Sequence, residues 1–382
     1  MPEEPQIIGL SKGHRLQFFW LLVVVFLVSL PVLIFYTTGY RLTFENDQTT
    51  IVTTGGVYVT TNDLEVDVYL DEEKVEKPRL FRSAYYIQNI ETGIHRLVVQ
   101  RPDLQTWVKE LPVDPHIVIE ASAFNMPAVP HIRPITEYLD GSGRPVYFTL
   151  ASSSSLFPQA TTTVLIVTAT STSARVFYDL NEEFIFVQSL FSTSSSESVF
   201  DRLRDQMERF RFSTTSATVS TTTDFEPVVE NGNIRIEEQA GELYAVWYGP
   251  AQSIPYYFCV TERSSSSIAE RYGTHVAAAI EKHTVSTTSP LLTNQDRLCR
   301  PEIKLDRKRM DVYFYDFFPG TADLVLLQLE DGLYVTEIDD RSWQNTQLLY
   351  PGANLQVALD SNSIFVKEQN RYFEIITEIE PN

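Results

Sequence analysis

The chain has 382 residues, room for two or three domains, and its apolar content of 43% is that of a folded protein. A net charge of −20 excludes nucleic acid as a partner and excludes docking on anionic lipid through a basic face. Two cysteines are too few for a cysteine-rich zinc framework.

The first element is the run "FFWLLVVVFLVSLPVLIFYTTGY" that starts at Phe18, with no charged residue between Arg15 and Arg41. About 20 apolar residues in a helix span a bilayer core, so residues 16–38 are predicted to form a transmembrane helix. Phe18 and Trp20 at one end and Tyr36 at the other are amphipathic rings suited to headgroup depth. Pro31 lies inside the run and is tolerated in a membrane helix. A cleavable signal has a shorter apolar region followed by small residues. Here "IFYTTGYRL" follows, so the run reads as a retained signal anchor. Lys12 and Arg15 precede it and only Arg41 follows closely. That bias puts residues 1–15 in the cytoplasm and the remaining chain outside it, in a single-pass protein of the cell membrane. Residues 39–54 are expected to be a juxtamembrane linker.

From residue 55 the apolar period becomes two. Val57 and Val59, then Val66, Val68 and Leu70, then Leu97 and Val99, then Trp107 and Leu111 alternate with polar residues. Turn residues recur about every ten positions, the pattern of a small β-sandwich. The stretches "TGGVYVTTN", "VDVYLD", Lys77-Pro78, "NIETGIHRLVVQRP" and Trp107 with the strand after it resemble the PEGA domain family. Those domains are small immunoglobulin-like sandwiches of prokaryotic envelope and surface proteins, and the resemblance covers 55–124. Asp63-Leu64-Glu65-Val66 stands where the family has its namesake tetrapeptide, and Glu72-Glu73 where it usually has glycine. A positive-φ turn suits Gly or Asn better than Glu, so a longer or different turn is expected there. The resemblance implies a spacer or interaction module without chemistry of its own. The acidic residues Asp63, Glu65, Asp67, Asp71, Glu72, Glu73 and Glu76 lack the spacing and glycine of a calcium loop and read as a solvated strand face.

Prolines punctuate 125–145, read as a second linker. Beyond it, 146–382 repeats strand–turn–strand units: "IRIEEQAGELYAVWYG", "LVLLQLEDGLYVTEI" and "IFVKEQNRYFEIITE", with "TVLIVTATSTSARVFYDL" and "FIFVQSL" as a further unit upstream. Asp331-Gly332 predicts a type I′ hairpin. The spacing approximates units of about 40–45 residues, the period of propeller blades, although no Trp-Asp motif recurs. The end, "FYDFFPGTADLVLLQLEDGLYVTEIDDRSWQNTQLLYPG", resembles the propeller-like tails that follow PEGA domains in other anchored proteins. Two helices interrupt the strands, "SESVFDRLRDQMERFRF" and "SSSSIAERYGTHVAAAIEKHT", each with an apolar stripe. The expected fold is therefore all-β: an N-terminal transmembrane helix, a PEGA-like β-sandwich, and a larger β-propeller-like domain with two helical insertions.

Chemistry is sparse. The six histidines form no metal-binding spacing; His275 and His283 lie eight apart, not four. There is no nucleophile elbow, phosphate loop or dinucleotide fingerprint. Cys259 and Cys299 either pair, as an oxidising compartment allows, or stay as two buried thiols. "TEIDDRSWQN" groups Asp339, Asp340, Arg341 and Trp343. These four are the candidate ligand contact, with Trp343 able to stack on a sugar ring; otherwise the aspartates make a turn and the tryptophan closes a blade.

The reading is a non-catalytic binding or scaffold protein of the prokaryotic envelope, with the bilayer and an envelope protein or glycan as partners and no cofactor. Two alternatives stand beside it. A glycan-active hydrolase needs two carboxylates about 5–10 Å apart in a cleft. A transmembrane sensor needs a cytoplasmic partner.

Overall fold

The computed structural model describes residues 12–45, 48–63, 65–77, 84–139, 143–146, 179–192, 228–261, 267–294, 297–360 and 362–378. Strands dominate, arranged in several mainly antiparallel sheets, and one long apolar helix precedes them. The chain divides into two compact units. The first comprises Met1–Gln100, Thr106–Phe124 and Thr261–Ala278; the second comprises Arg101–Gln105, Asn125–Val260 and Ala279–Asn382.

The first unit starts with helix α1 (Lys12–Thr37), which holds Pro31 in its interior. Its stretch Gly13–Thr37 is long and apolar enough to cross a membrane, and none of that span is buried. From Phe18 to Phe35 every position but Trp20, Ser29 and Pro31 is Leu, Val, Phe or Ile, so this span is apolar all round, not on one stripe, as a lipid-facing helix requires.

Two residues after α1 the chain enters strand β1 (Tyr40–Glu45), which pairs antiparallel with β2 (Gln48–Thr61). The segment 39–54 is thus a β-hairpin and not the expected linker. Strand β2 bends at a bulge between Gly55 and Gly56. A Cβ on Gly55 would lie 2.3 Å from the carbonyl oxygen of Asp114, so only glycine permits that approach.

After β2 come β3 (Asp67–Leu70), β4 (Glu73–Lys74), β5 (Ala84–Glu91), β6 (Gly93–Gln100), β7 (Trp107–Val113) and β8 (Val118–Ala123). Strand β2 pairs with β1 and β5 on their antiparallel edges and with β8 in parallel; β4-β3-β6-β7 form a second four-stranded sheet. The predicted alternation holds in both, except that Leu70 of β3 is only part-buried. Val57 and Val59 of β2, Val68 of β3, Leu97 and Val99 of β6, and Trp107 and Leu111 of β7 are buried. Each such aliphatic side chain contributes about 1.5–3 kcal/mol by leaving water. The Tyr85 hydroxyl in β5 donates to the Val66 carbonyl at 2.7 Å in the interior.

The β3–β4 turn departs from expectation. It is a two-residue turn at Asp71 and Glu72, with φ of 48° and 73°, despite the absence of glycine. Asp71 compensates. Its carboxylate accepts the Arg96 amide at 2.8 Å and faces His95 Nδ1 at 2.5 Å, while its own amide donates to the Arg96 carbonyl at 2.9 Å.

In the second unit, β9 (His131–Ile135) and β10 (Tyr138–Leu139) lie in the stretch read as a linker. Strand β10 pairs with β11 (Asp179–Leu180). Helix α2 (Glu182–Ser192) corrects "FIFVQSL", read as a strand. Asn181 caps it, its Oδ1 accepting the Glu183 amide at 3.1 Å; Glu182 and Glu183 sit in the first turn; and Val187 and Phe191, one turn apart, are buried. A β-like run of aromatics and valine thus became helical because its flanks carry helix-start chemistry. The predicted helix "SESVFDRLRDQMERFRF" lies outside the described residues, as does nearly all of "TVLIVTATSTSARVFYDL".

The chain continues through β12 (Val229–Asn231), β13 (Ile234–Gln239), β14 (Glu242–Trp247) and β15 (Cys259–Thr261). Helices α3 (Ile268–Tyr272) and α4 (Thr274–Val285) follow. The apolar stripe in the sequence predicts one continuous helix here. Gly273, at φ 99°, breaks it, and Ser267 with Glu270 forms a capping box at the start of α3. Then come β16 (Leu292–Asn294), β17 (Arg297–Cys299), β18 (Glu302–Lys304), β19 (Phe314–Phe317), β20 (Leu324–Leu329), β21 (Gly332–Glu337), β22 (Thr346–Pro351), β23 (Gln356–Asp360), β24 (Ser363–Glu368) and β25 (Arg371–Ile376).

They form four-stranded sheets β12-β13-β14-β18, β19-β20-β21-β22 and β23-β24-β25-β9, and a three-stranded sheet β15-β17-β16. Strand β9, some 240 residues upstream, closes the last sheet by pairing with β25. No closed barrel or propeller is formed among the described residues. All three predicted hairpins are present, but the type I′ geometry sits elsewhere than expected. Ala240 and Gly241 take φ of 53° and 77° between β13 and β14. Between β20 and β21 the turn residues are Glu330 and Asp331, neither with positive φ, and Gly332 is already in the strand.

Candidate functional site

The residues singled out in the sequence converge on the segment between β21 and β22 and on the short sheet that carries the cysteines. Cys259 at the start of β15 and Cys299 at the end of β17 form a disulfide. Arg300 follows directly. Its amide donates to the Phe258 carbonyl at 2.9 Å and its guanidinium grips Asp340 through two parallel bonds of 2.6 and 2.7 Å. Arg300 is 1% exposed and Asp340 6%. Two-pronged arginine–carboxylate pairing of this kind is the strong and directional form of an ion pair.

Asp339 turns to a different partner. It accepts the Arg341 amide at 3.0 Å, and Arg341 Nη2 at 2.8 Å. The Arg341 guanidinium then lies over the Tyr256 ring, 4.8 Å from its centre. Tyr256 and Tyr257 meet edge to face at 5.3 Å, and Tyr257 continues to Phe258 at 5.2 Å. Burial pushes the phenols of Tyr256 and Tyr257 far above their ordinary value, with Asp339 and Asp323 adding to the effect, so both stay neutral. Glu337 fixes the loop from below: its Oε1 accepts the Asn345 amide and side-chain nitrogen, both at 2.8 Å. Gln344 donates to the Ile338 carbonyl at 3.0 Å and accepts the Asp306 amide at 2.6 Å.

Asp339, Asp340 and Arg341 are therefore buried members of ion pairs. Each carboxylate is paired with an arginine, an arrangement that ties the loop to its surroundings. Trp343 is different. It stands at the surface, 37% exposed, two residues beyond the buried pairs and next to Ser342 at φ 73°. The geometry leaves part of this side chain accessible at the surface beside the buried ion pairs. The sequence grouped these four residues, but it gave no sign of Arg300, Tyr256 or Tyr257, which come from 40 or more positions away.

The remaining sequence candidates separate. Phe18 and Trp20 lie toward the start of α1 and Tyr36 at its end, all exposed. His275 and His283 occupy opposite ends of α4. His283 is buried, its Nδ1 2.7 Å from the Ser289 carbonyl oxygen and its Nε2 3.4 Å from Glu302. No cluster of three or more His, Cys, Asp or Glu fit to hold a metal occurs among the described residues. In the acidic stretch, Asp67 pairs with Lys74 at 2.7 Å, and Asp71 is taken up by its turn.

Comparison of the chain with protein-family models, with curated proteins and with solved structures gave no match.

Proposed function

We propose that the chain is a membrane-anchored, extracytoplasmic binding or scaffold protein of a prokaryotic cell envelope. The observation that carries this reading is α1, a helix of 26 residues with apolar side chains on every side and no buried span. The Cys259–Cys299 disulfide supports an oxidising location for the second unit. The bias of Lys12 and Arg15 over Arg41 supports a cytoplasmic N-terminus. The two four-stranded sheets of β1 to β8 support a PEGA-like sandwich beside the membrane. The three four-stranded antiparallel sheets of the second unit support blades of a propeller-like domain, with β9 joining the C-terminal blade.

The binding partner in this reading is an envelope protein or a wall or surface glycan, met through Trp343. Its partial exposure and aromatic character suit contact with a sugar ring. A hydrolase is disfavoured at this loop because Asp339 and Asp340 are both committed to arginines. Co-sedimentation of the detergent-solubilised chain with purified cell-wall polymer tests the glycan arm. Binding that Trp343→Ala abolishes, with the disulfide intact, is the expected result. Absence of binding by the native chain, together with no envelope protein crosslinked at position 343, would sink the reading.

A sensor working through a cytoplasmic partner is the second reading. It is favoured by how α1 meets β1.

A further inference from the structure

We propose that α1 and the β1-β2-β5 sheet are locked into one stiff body, so that the pose of the helix sets the pose of the sheet. The proposal takes its setting from the membrane-anchor reading, but the lock itself is a property of the first unit alone.

An anchor that serves only as a tether needs a flexible connection. This chain has none. Only Thr38 and Gly39 separate α1 from β1. The last carbonyls of a helix lack partners and normally fray. Here the Ile34 carbonyl accepts the Thr38 amide at 3.0 Å and the hydroxyls of Thr37 and Thr38 at 3.1 and 2.8 Å. The Tyr36 carbonyl accepts Gly39 N at 3.2 Å and Arg41 Nη1 at 2.8 Å.

Gly39 then turns the chain at φ 86°. Its carbonyl accepts both the amide and the hydroxyl of Thr54 at 2.9 Å, stitching the helix end to the middle of β2. A Cβ there would sit 2.9 Å from His116 Nδ1 and 3.2 Å from the Thr54 carbonyl oxygen. Glycine is needed both for the left-handed φ and for the fit.

Ring contacts close the joint. Phe35 of the helix stacks on Tyr40 of β1 at 5.5 Å, and Tyr40 lies 5.3 Å from His116 in the β7–β8 turn. Arg41 covers the Tyr36 ring at 4.9 Å and donates to the side-chain oxygen of Asn89 in β5. The helix end is thus fixed to β1, β2, β5 and the turn before β8. A partner that tilts or rotates α1 in the bilayer would move the sheet with it.

Pulsed electron-spin distance measurement on the full chain tests this. There are no free cysteines, so the substitutions His14→Cys and Glu120→Cys can be labelled selectively. The measurement is made in detergent and in lipid nanodiscs. The expected result is one narrow distance peak for the native junction. Inserting six Gly/Ser residues between Thr38 and Gly39 should broaden it by roughly 12–15 Å, the spread of a flexible segment of that length. Arg41→Ala and Tyr40→Ala should broaden it partially. Retention of the Cys259–Cys299 bond by intact mass controls for folding. A native peak as broad as that of the insertion variant, or an insertion without effect, would overturn the proposal. Failure of the anchor reading would show separately, as exclusion of the chain from nanodiscs with the narrow peak still present in detergent.

Discussion

Removing the carboxylate of Asp340 leaves the Arg300 guanidinium inside the second unit without its two-pronged partner. Stranding a buried charge costs about 3–5 kcal/mol, so Asp340→Ala should lower the denaturant midpoint of the full chain by that equivalent. The double change Arg300→Met with Asp340→Leu should recover much of it, because a packed apolar pair avoids desolvation. Asp71 provides a milder, pH-dependent case. Burial alone would raise its carboxyl, but the His95 side chain and the Arg96 amide outweigh it and hold it below its ordinary value. Its folded form therefore prefers the carboxylate. The contribution is present above the ordinary carboxylate range of about 4 and is lost as pH falls through the lowered value. Amide exchange in the β3–β4 turn should speed up on acidification, and Asp71→Asn should remove that pH dependence. Neither behaviour was legible in the sequence. Asp339, Asp340, Arg341 and Trp343 stood out as a polar group beside an aromatic ring, but what separates three of them from the fourth is burial by Arg300 and Tyr256, contacts that no local pattern encodes.

At the scale of elements, local periodicity was readable wherever a strand buries one face. The alternation from Val57 to Leu111 matched the buried residues on most strands, though Leu70 is only part-buried and Tyr86 is exposed, and all three C-terminal hairpins formed. It failed at two stretches that read as linkers. One supplies β1, which forms a local hairpin with β2; the other supplies β9, whose partner β25 lies some 240 residues on and whose largely exposed side chains carry no alternating signature. Helix α3 carries the other remote contact. Arg271 donates to Asp114, which also accepts the Thr261 hydroxyl at 2.7 Å, and both members of the ion pair are buried. Thr261–Ala278 is in this way an integral piece of the first unit although it lies far along the chain. Arg271→Met should destabilise that unit by about 3–5 kcal/mol, seen as a lowered midpoint for Trp107 fluorescence, because Asp114 is left buried without its cation. A construction ending at residue 124 should fold poorly for the same reason.

At the scale of the whole molecule, composition and one apolar run carried most of what was legible. The run gave α1 to within a few residues, and the disulfide resolved the open alternative for Cys259 and Cys299. That bond closes a span of 40 residues, and its loss through Cys259→Ser with Cys299→Ser should cost about 4 kcal/mol in the chain-entropy description. Val25→Arg, near the middle of α1, should raise the insertion free energy by about 2.5–3.5 kcal/mol and shift the chain from the membrane to the soluble fraction. The central proposal is that α1 stays in the membrane with the chain that follows it outside the cytoplasm. Protease treatment of intact cells, or of protoplasts where a wall intervenes, with a tag at each terminus, tests it most directly. The account predicts digestion of the C-terminal tag and survival of the N-terminal tag on a membrane-bound stub. A C-terminal tag that stays protected until the cells are lysed would contradict it.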